Sequence, residues 1–350
     1  MSQINTNAIL DASGGTTTTV NGFTPTASNM AGRNRIINGD MRIDQRNAGS
    51  ALTLTNATKF PVDRFAAFKD TAGATCTAQQ SSTVPNGEFT KSLLWTTTTG
   101  ATAGVGDDCC IRQFIEGFNF ADLGFGTAAA RSFTLSFWAR SSVTGTYGVS
   151  LANSAPNRCY IASYSIDVAN TWEFKTITVA GDTTGTWVPD AGIGLRIFWD
   201  MGSGTSRSLA ASSAWGSSYG TGLTGGVKIA ANTVATFYIT GVQLEVGSVA
   251  TPFEHRQYGQ ELALCQRYFY KHLAEEWGFQ TVALGNTYTR TRFDFKASMR
   301  ATPTIAGISY NTAGSVGSQF VTVDSCNLYA NPSLGGSGAF APNWTASAEL

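Results

Sequence analysis

The chain has 350 residues, which at roughly 150 per domain is room for two domains. Lys plus Arg number 23 and Asp plus Glu number 23, so the formal net charge is zero, and charged residues are only 13% of the total. That balance lacks the basic excess of a nucleic-acid binder, 42% hydrophobic content is too high for a disordered chain, and no apolar run approaches the ~20 residues of a membrane helix.

The 38 glycines and the 21 Phe, 11 Tyr and 8 Trp suit many short strands joined by glycine turns. A weakly charged surface limits repulsion between identical copies, so a symmetric oligomer is expected. The start, MSQINTNAILDASGG, has neither a basic residue nor an apolar core and does not read as a signal peptide. Six cysteines lack metal-site spacing. Free thiols are the default in a reducing cytosol, with a Cys76–Cys109 bridge as the open alternative.

Residues 1–33 carry few large apolar side chains: Ile4, Ile9, Leu10, Val20 and Phe23. They cannot form a core of their own, and read as an arm ordered by another subunit, the alternative being a flexible tail. Residues 34–258 alternate as strands. RSFTLSFWAR places Phe133, Leu135 and Phe137 on one face and Thr134, Ser136, Trp138 and Arg140 on the other. In GIGLRIFWD, Ile193, Leu195, Ile197 and Trp199 oppose Arg196, Phe198 and Asp200. In TFYITGVQLEV the apolar parity switches at Thr240-Gly241, which predicts a bulge. Such a segment is a two-sheet sandwich or a barrel. The aperiodic stretch Met201 to Gly226 is a functional loop or lies on a partner.

Residues 259–277 space Leu262, Cys265, Phe269 and Leu273 as a short connecting helix. Residues 278–350 alternate again, as a smaller C-terminal β region for oligomerisation or a distal tip. Leu262, Phe269, Phe340 and Trp344 are its candidate oligomer contacts.

Catalytic patterns are weak. GSSYG, centred on Ser218, matches a nucleophile elbow without the strand-to-helix context, and a triad would need His255 or His272. GFGTAA lacks a βαβ unit. The carboxylates Asp167, Asp182, Asp190, Asp200 and Glu245 cannot be paired across a cleft from sequence. No enzyme, cofactor or metal is expected. Aromatics lead instead. Trp138 and Phe198 sit on polar parities, and Trp215 and Tyr219 in the long loop. With Arg196 these are candidate glycan contacts, the alternative for each being core or subunit interface.

Two segments carry a resemblance: NRIINGDMRIDQRNAG (Asn34 to Gly49) and FYITGVQLEVGSVATPFEHRQYGQELALCQRYFYK (Phe237 to Lys271). With PVDRF, TLSFWARSSVTGTYGVSL and GIGLRIFWDMG between them, the chain resembles a family of bacteriophage virion proteins, tail fibres or structural proteins frequent in marine and cyanobacterial phages. The middle region is further similar to jelly-roll carbohydrate-binding modules. Their calcium-binding glutamate is replaced here by Arg42 and their paired aspartates by Thr240-Gly241, so no calcium is expected there, and Arg42 could pair with Glu245.

The resemblance implies an all-β protein: an N-terminal arm, a jelly-roll β-sandwich, a connecting helix and a C-terminal β region. It implies a homotrimeric fibre in the virion, assembled in the host cytoplasm. Its partners would be itself, other phage tail or capsid proteins and a host-surface glycan, with no nucleic acid and no membrane insertion. A head decoration or tail adaptor without receptor binding, and less so a polysaccharide depolymerase, are the alternatives.

Overall fold

The computed structural model describes residues 32–272, 289–308, 314–332 and 344–350. The arm residues Ile4, Ile9, Leu10, Val20 and Phe23, and also Leu273 and Phe340, lie outside the described residues.

The first strands are β1 (Leu52–Thr53), β2 (Lys59–Val62), β3 (Phe65–Lys69), β4 (Thr75–Ser81) and β5 (Ser92–Thr99). There follow β6 (Cys109–Glu116), β7 (Phe133–Ser141), β8 (Gly145–Ala152), β9 (Cys159–Ile166), β10 (Glu173–Val179) and β11 (Ile193–Asp200). A two-stranded ribbon, β12 (Ser208–Leu209) with β13 (Gly222–Leu223), precedes β14 (Ala235–Val246). A front sheet has the order β1-β4-β5-β14-β7-β10 and a back sheet the order β2-β3-β6-β11-β8-β9. All pairings within these two sheets are antiparallel. The inner eight strands, β5-β14-β7-β10 facing β6-β11-β8-β9, have the strand order of a jelly roll, in which two Greek keys fold over one another.

Period-two alternation explains the core. Phe133, Leu135 and Phe137 of β7 meet Leu195, Ile197 and Trp199 of β11 and Tyr147 of β8, all buried between the sheets. On β14, Phe237 and Ile239 point inward, yet so do Val242 and Leu244 of the opposite parity. The register resolves this. Thr240 faces Trp138 and Gln243 faces Ser136, so Gly241 and Val242 together oppose the single residue Phe137. The expected bulge is there, and Gly241 adopts φ +62°.

A strap, residues 32–50, crosses the end of the front sheet. Asn34 Nδ2 donates to the Val242 carbonyl at 3.1 Å, and the Val242 amide donates to the Gly39 carbonyl at 2.9 Å. A Cβ on Gly39 would stand 2.1 Å from the Val242 oxygen, so only glycine allows this crossing.

Helix α1 spans Tyr258–Gln266 and is followed by β15 (Phe269–His272), so the expected helix over 259–277 is shorter. Phe269 is a strand residue, because the chain turns at Arg267 to pair with the C-terminal strand. The remaining strands are β16 (Thr289–Asp294), β17 (Thr304–Ala306), β18 (Gly314–Gln319), β19 (Ser325–Pro332) and β20 (Trp344–Ser347). They form two small sheets, β15-β20-β17 and β16-β19-β18. Trp344, only 2% exposed, centres a second core with Tyr270, Phe295, Met299 and Leu328. Leu262 is half-buried against the Ile37–Ile43–Tyr268 cluster, and Phe269 is buried. Leu262, Phe269 and Trp344, three of the four residues expected at an oligomer interface, thus make contacts within the chain, because this unit needs them to close its own small core.

Charged side chains join that unit to the sandwich. Arg267 grips Glu116 with two donors, at 2.6 and 2.9 Å, and the Tyr268 hydroxyl donates to the same carboxylate at 2.6 Å. Arg46 bridges Asp63 (2.9 Å) and Glu349 (2.7 Å), and Arg64 also pairs with Glu349. Arg46 lies 3.6 Å above the Phe269 ring centre and Arg64 3.5 Å above that of Tyr268.

Asp63 is fully buried, and burial, only partly offset by Arg46 and Gln45, pushes its carboxyl up from 3.8 to about 6. A carboxyl raised in the folded state favours folding in its protonated form. That contribution is complete below about pH 4 and is lost as pH rises through 6, up to about 3 kcal/mol. Acidifying from pH 7.5 to 5 should therefore raise the thermal midpoint, and Asp63→Asn should flatten that rise; a midpoint falling equally in both proteins contradicts it.

Candidate functional site

Because β7 alternates, its outward side chains stand in a row on the front sheet: Thr134, Ser136, Trp138 and Arg140. Trp138 faces Phe174 of β10 across one side and Thr240 of β14 across the other. The Trp138 and Phe174 rings lie 5.3 Å apart between centres, and Phe174 is 46% exposed. The bulge shapes what lies beside them. A Cβ on Gly241 would meet Phe89 at 2.8 Å and Trp138 at 3.1 Å, so the bare backbone there lets both rings close over the strand. Phe89, Phe253 and His255 form a second aromatic group, with centres 5.0 to 5.8 Å apart. Glu88 contacts the His255 ring at 3.1 Å on the exposed rim.

Together these make a groove of about 180 Å³, lined by Ser136, Trp138, Phe174 and Gly241 on one side and by Glu88, Phe89, Thr251 and Phe253 on the other. The wall at Thr251 is fixed from beneath by the buried Glu245, which accepts the Thr251 amide (2.8 Å) and hydroxyl (2.7 Å). Glu245 is approached by Arg33 at 3.9 Å rather than by Arg42. Arg42 pairs with Asp40 and donates to the Arg256 carbonyl at 2.9 Å, because the strap turns it away from β14. In the next row Arg140 faces Tyr238 in register, with its guanidinium 4.9 Å from that ring's centre, and Trp172 packs 6.0 Å from Tyr238.

The groove offers the exposed Phe174 ring beside the half-buried Trp138, a hydroxyl, a carboxylate and, at its rim, an imidazole. A flat apolar ring beside short polar groups suits the CH face and the hydroxyls of a sugar. Glu88 is the one carboxylate in its lining among the described residues, so the two facing carboxyls of glycoside hydrolysis are not assembled there. Ser218 is exposed on the back-sheet loop, whereas His255 borders the front groove. No set of three or more His, Cys, Asp or Glu side chains among the described residues is placed to hold a metal. All six cysteines are buried and free, including Cys76 and Cys109. Burial pushes the Cys109 thiol up to about 11.

Of the five expected glycan contacts, Trp138 alone is in this groove. Arg196, Phe198 and Tyr219 lie on the back sheet. Phe198 is 1% exposed, sandwiched by Phe114 and Tyr219, and cannot stack on a sugar. The long loop folds back on its own sheet: Ser150 donates to the Gly220 carbonyl, and Leu209 and Leu223 pack on Cys159 and Ile161. Trp215 is wedged among Phe125, Tyr160 and Trp187, with its indole N–H on the Ala180 carbonyl at 2.8 Å. It seals the rim of the core. Sequence reading did not single out Glu88, Phe89, Phe174 or Phe253 as site residues. The parity switch at Gly241 was the available pointer, since a bulge re-aims its neighbours.

No protein-family model and no curated protein matches the chain. Among solved structures it is similar to the enzymatically active domain of tailspike protein 4 of bacteriophage CBA120, at 16% identity over 61% of this chain and 21% of that one, with a TM-score of 0.33. This chain thus spans about a fifth of the tailspike's length. It is also similar to the family 11 carbohydrate-binding module of Clostridium thermocellum, solved with a β-1,3-1,4-mixed-linked tetrasaccharide, at 14% identity over 59% and 98% of the two chains, TM-score 0.29. A xylan-binding domain of Paenibacillus barcinonensis matches at 8% identity over 59% and 99%, TM-score 0.28. Likeness at these identities and scores adds nothing to the strand order already described.

Gly241→Ala should cost about 1–3 kcal/mol through its left-handed backbone and displace Trp138, which a shift in tryptophan emission would report. Trp215→Ala should destabilise by about 3 kcal/mol without changing any ligand binding at the groove. Equal midpoints for Gly241→Ala and the parent would show that the bulge tolerates a side chain.

Proposed function

We propose that the protein is a non-catalytic structural component of a phage virion, a short trimeric tail fibre. Its N-terminal arm attaches it to the particle, and its jelly roll contributes adhesion to a host-surface glycan. The glycan part is carried by the front-sheet groove, where the half-buried Trp138 lies over the Gly241 bulge beside the exposed Phe174 ring. The virion part is supported by the resemblance of Asn34 to Gly49 and Phe237 to Lys271. These two segments pack on each other: Arg256 donates to the Ile36 carbonyl at 3.0 Å and Gln45 to the Phe269 carbonyl at 2.8 Å. Adhesion by many weak contacts gains from several copies engaging one surface, which suits a trimer.

Two measurements test this. Antibody-labelled virions should show the protein on the tail; label confined to the head defeats the fibre assignment. Purified protein should adhere to host cells, and Trp138→Ala should weaken adhesion about tenfold while the protein still unfolds cooperatively, since the half-buried ring lies outside the sandwich core. Undiminished adhesion by that variant removes the groove from the account.

A further inference from the structure

The back sheet carries a different row of outward side chains, covered by the Tyr219 loop at Phe198 and half-buried at Arg112, Phe114 and Arg196. In register, Arg112 of β6 faces Phe198 of β11, and Phe114 of β6 faces Arg196 of β11. The outward side chains therefore alternate cation and ring in both directions. Both guanidiniums lie 5.3 Å from the centre of the Phe114 ring, and Arg112 also lies 5.5 Å from Phe68. Neither arginine has a carboxylate partner among the described residues. Arg112 donates to the Thr58 hydroxyl at 2.5 Å, and Arg196 donates to the Ser154 carbonyl at 2.8 Å. The Arg196 Nε is buried without any partner. Asp108 feels the charge of Arg112, but its Oδ1 accepts the Ser203 (3.2 Å) and Thr221 (2.9 Å) hydroxyls and neither oxygen is within ion-pair distance of Arg112. Tyr219 borders the strip from the loop, its ring 6.4 Å from Phe198.

Two half-buried guanidiniums with donors to spare, each 5.3 Å from the centre of one ring, lack an anion. Most other arginines of this protein do have one: Arg33, Arg35, Arg42, Arg46, Arg64, Arg158, Arg256, Arg267 and Arg292 each contact a carboxylate. A planar guanidinium fork matches a carboxylate with two parallel hydrogen bonds, and a flat ring beside it suits the CH face of a sugar. We propose that this strip is a second binding site, taking a carboxylate-bearing polysaccharide. A uronate carboxylate seats between Arg112 and Arg196, and a sugar ring lies against Phe114. The strip is on the opposite sheet from the Trp138 groove, so it stands whether or not that groove binds glycan.

Full-length protein is passed over immobilised polygalacturonate, with dextran as the neutral control and duplex DNA as a polyanion without uronate. Binding to polygalacturonate that weakens with added salt is expected, with little to dextran or DNA. The double variant Arg112→Gln/Arg196→Gln should lose about tenfold or more in affinity, while Trp138→Ala should leave it unchanged. If the glutamine pair does not fold, Arg112→Lys/Arg196→Lys keeps the charge but loses the planar fork, and several-fold weaker binding is expected. The proposal is overturned by no binding, by equal affinity in either arginine variant, by loss in Trp138→Ala instead, or by DNA binding as tightly as polygalacturonate.

Discussion

The crossing of the strap over β14 is the constraint on which the rest depends. Gly39 passes so close to the Val242 carbonyl that the two backbones touch, and Val242 is the second residue of the bulge. Without the bulge the alternation of β14 would continue unbroken. Val242 and Leu244 would then face outward, leaving their places in the core empty. The same extra residue turns a bare Gly241 toward the outer face, where Phe89 and Trp138 close over it. One inserted residue thus fills the core and opens the groove.

A second constraint is ionic and joins the two units. The carboxylates of Glu116, Asp63 and Glu349 are all buried or nearly so, and each is held by arginine. Removing either member of such a pair would strand a charge in low dielectric, which costs more than the pair contributes. Arginine suits the role because its flat face also stacks: Arg46 lies on Phe269 and Arg64 on Tyr268. Of the residues read as oligomer contacts, Phe269 and Trp344 are buried within this joint and the small core beside it, and Leu262 is half-buried there.

Much of the fold was legible. Alternation in RSFTLSFWAR and GIGLRIFWD fixes which side chains fill the sandwich, and the parity switch in TFYITGVQLEV marks the bulge to within a residue. The helix end was less so, because Cys265, Phe269 and Leu273 keep a helical spacing across a turn that only pairing with β20 imposes. The site was legible in one residue. Trp138 stands out by polar parity, but Phe174, Phe89 and Phe253 reach it from another strand and two loops, and no local pattern encodes a cross-strand neighbour. Phe198 shared the same parity signal and failed, since parity names the face of a sheet and says nothing about a loop lying on that face.

This separates what the recognisable segments describe from what the exposed ones do. The segments from Asn34 to Gly49 and from Phe237 to Lys271 are dense with Asn, Gly, Arg and Glu because they are engaged with each other. Asn34 Nδ2 donates to the Val242 carbonyl at 3.1 Å, and the Glu261 carboxylate accepts the Asn38 amide at 2.5 Å. Such residues are constrained by backbone geometry and carry architecture. Ligand-facing residues sit singly on outer faces and are free to differ between chains of one fold. Net charge is equally silent about them. A sum of zero is compatible with a strip where Arg112 and Arg196 make no ion pair, because several carboxylates elsewhere are committed to arginines in the joint and the strap. The overall balance argues against a chain that is basic throughout, whereas local imbalance on one sheet face is what selects an anionic ligand.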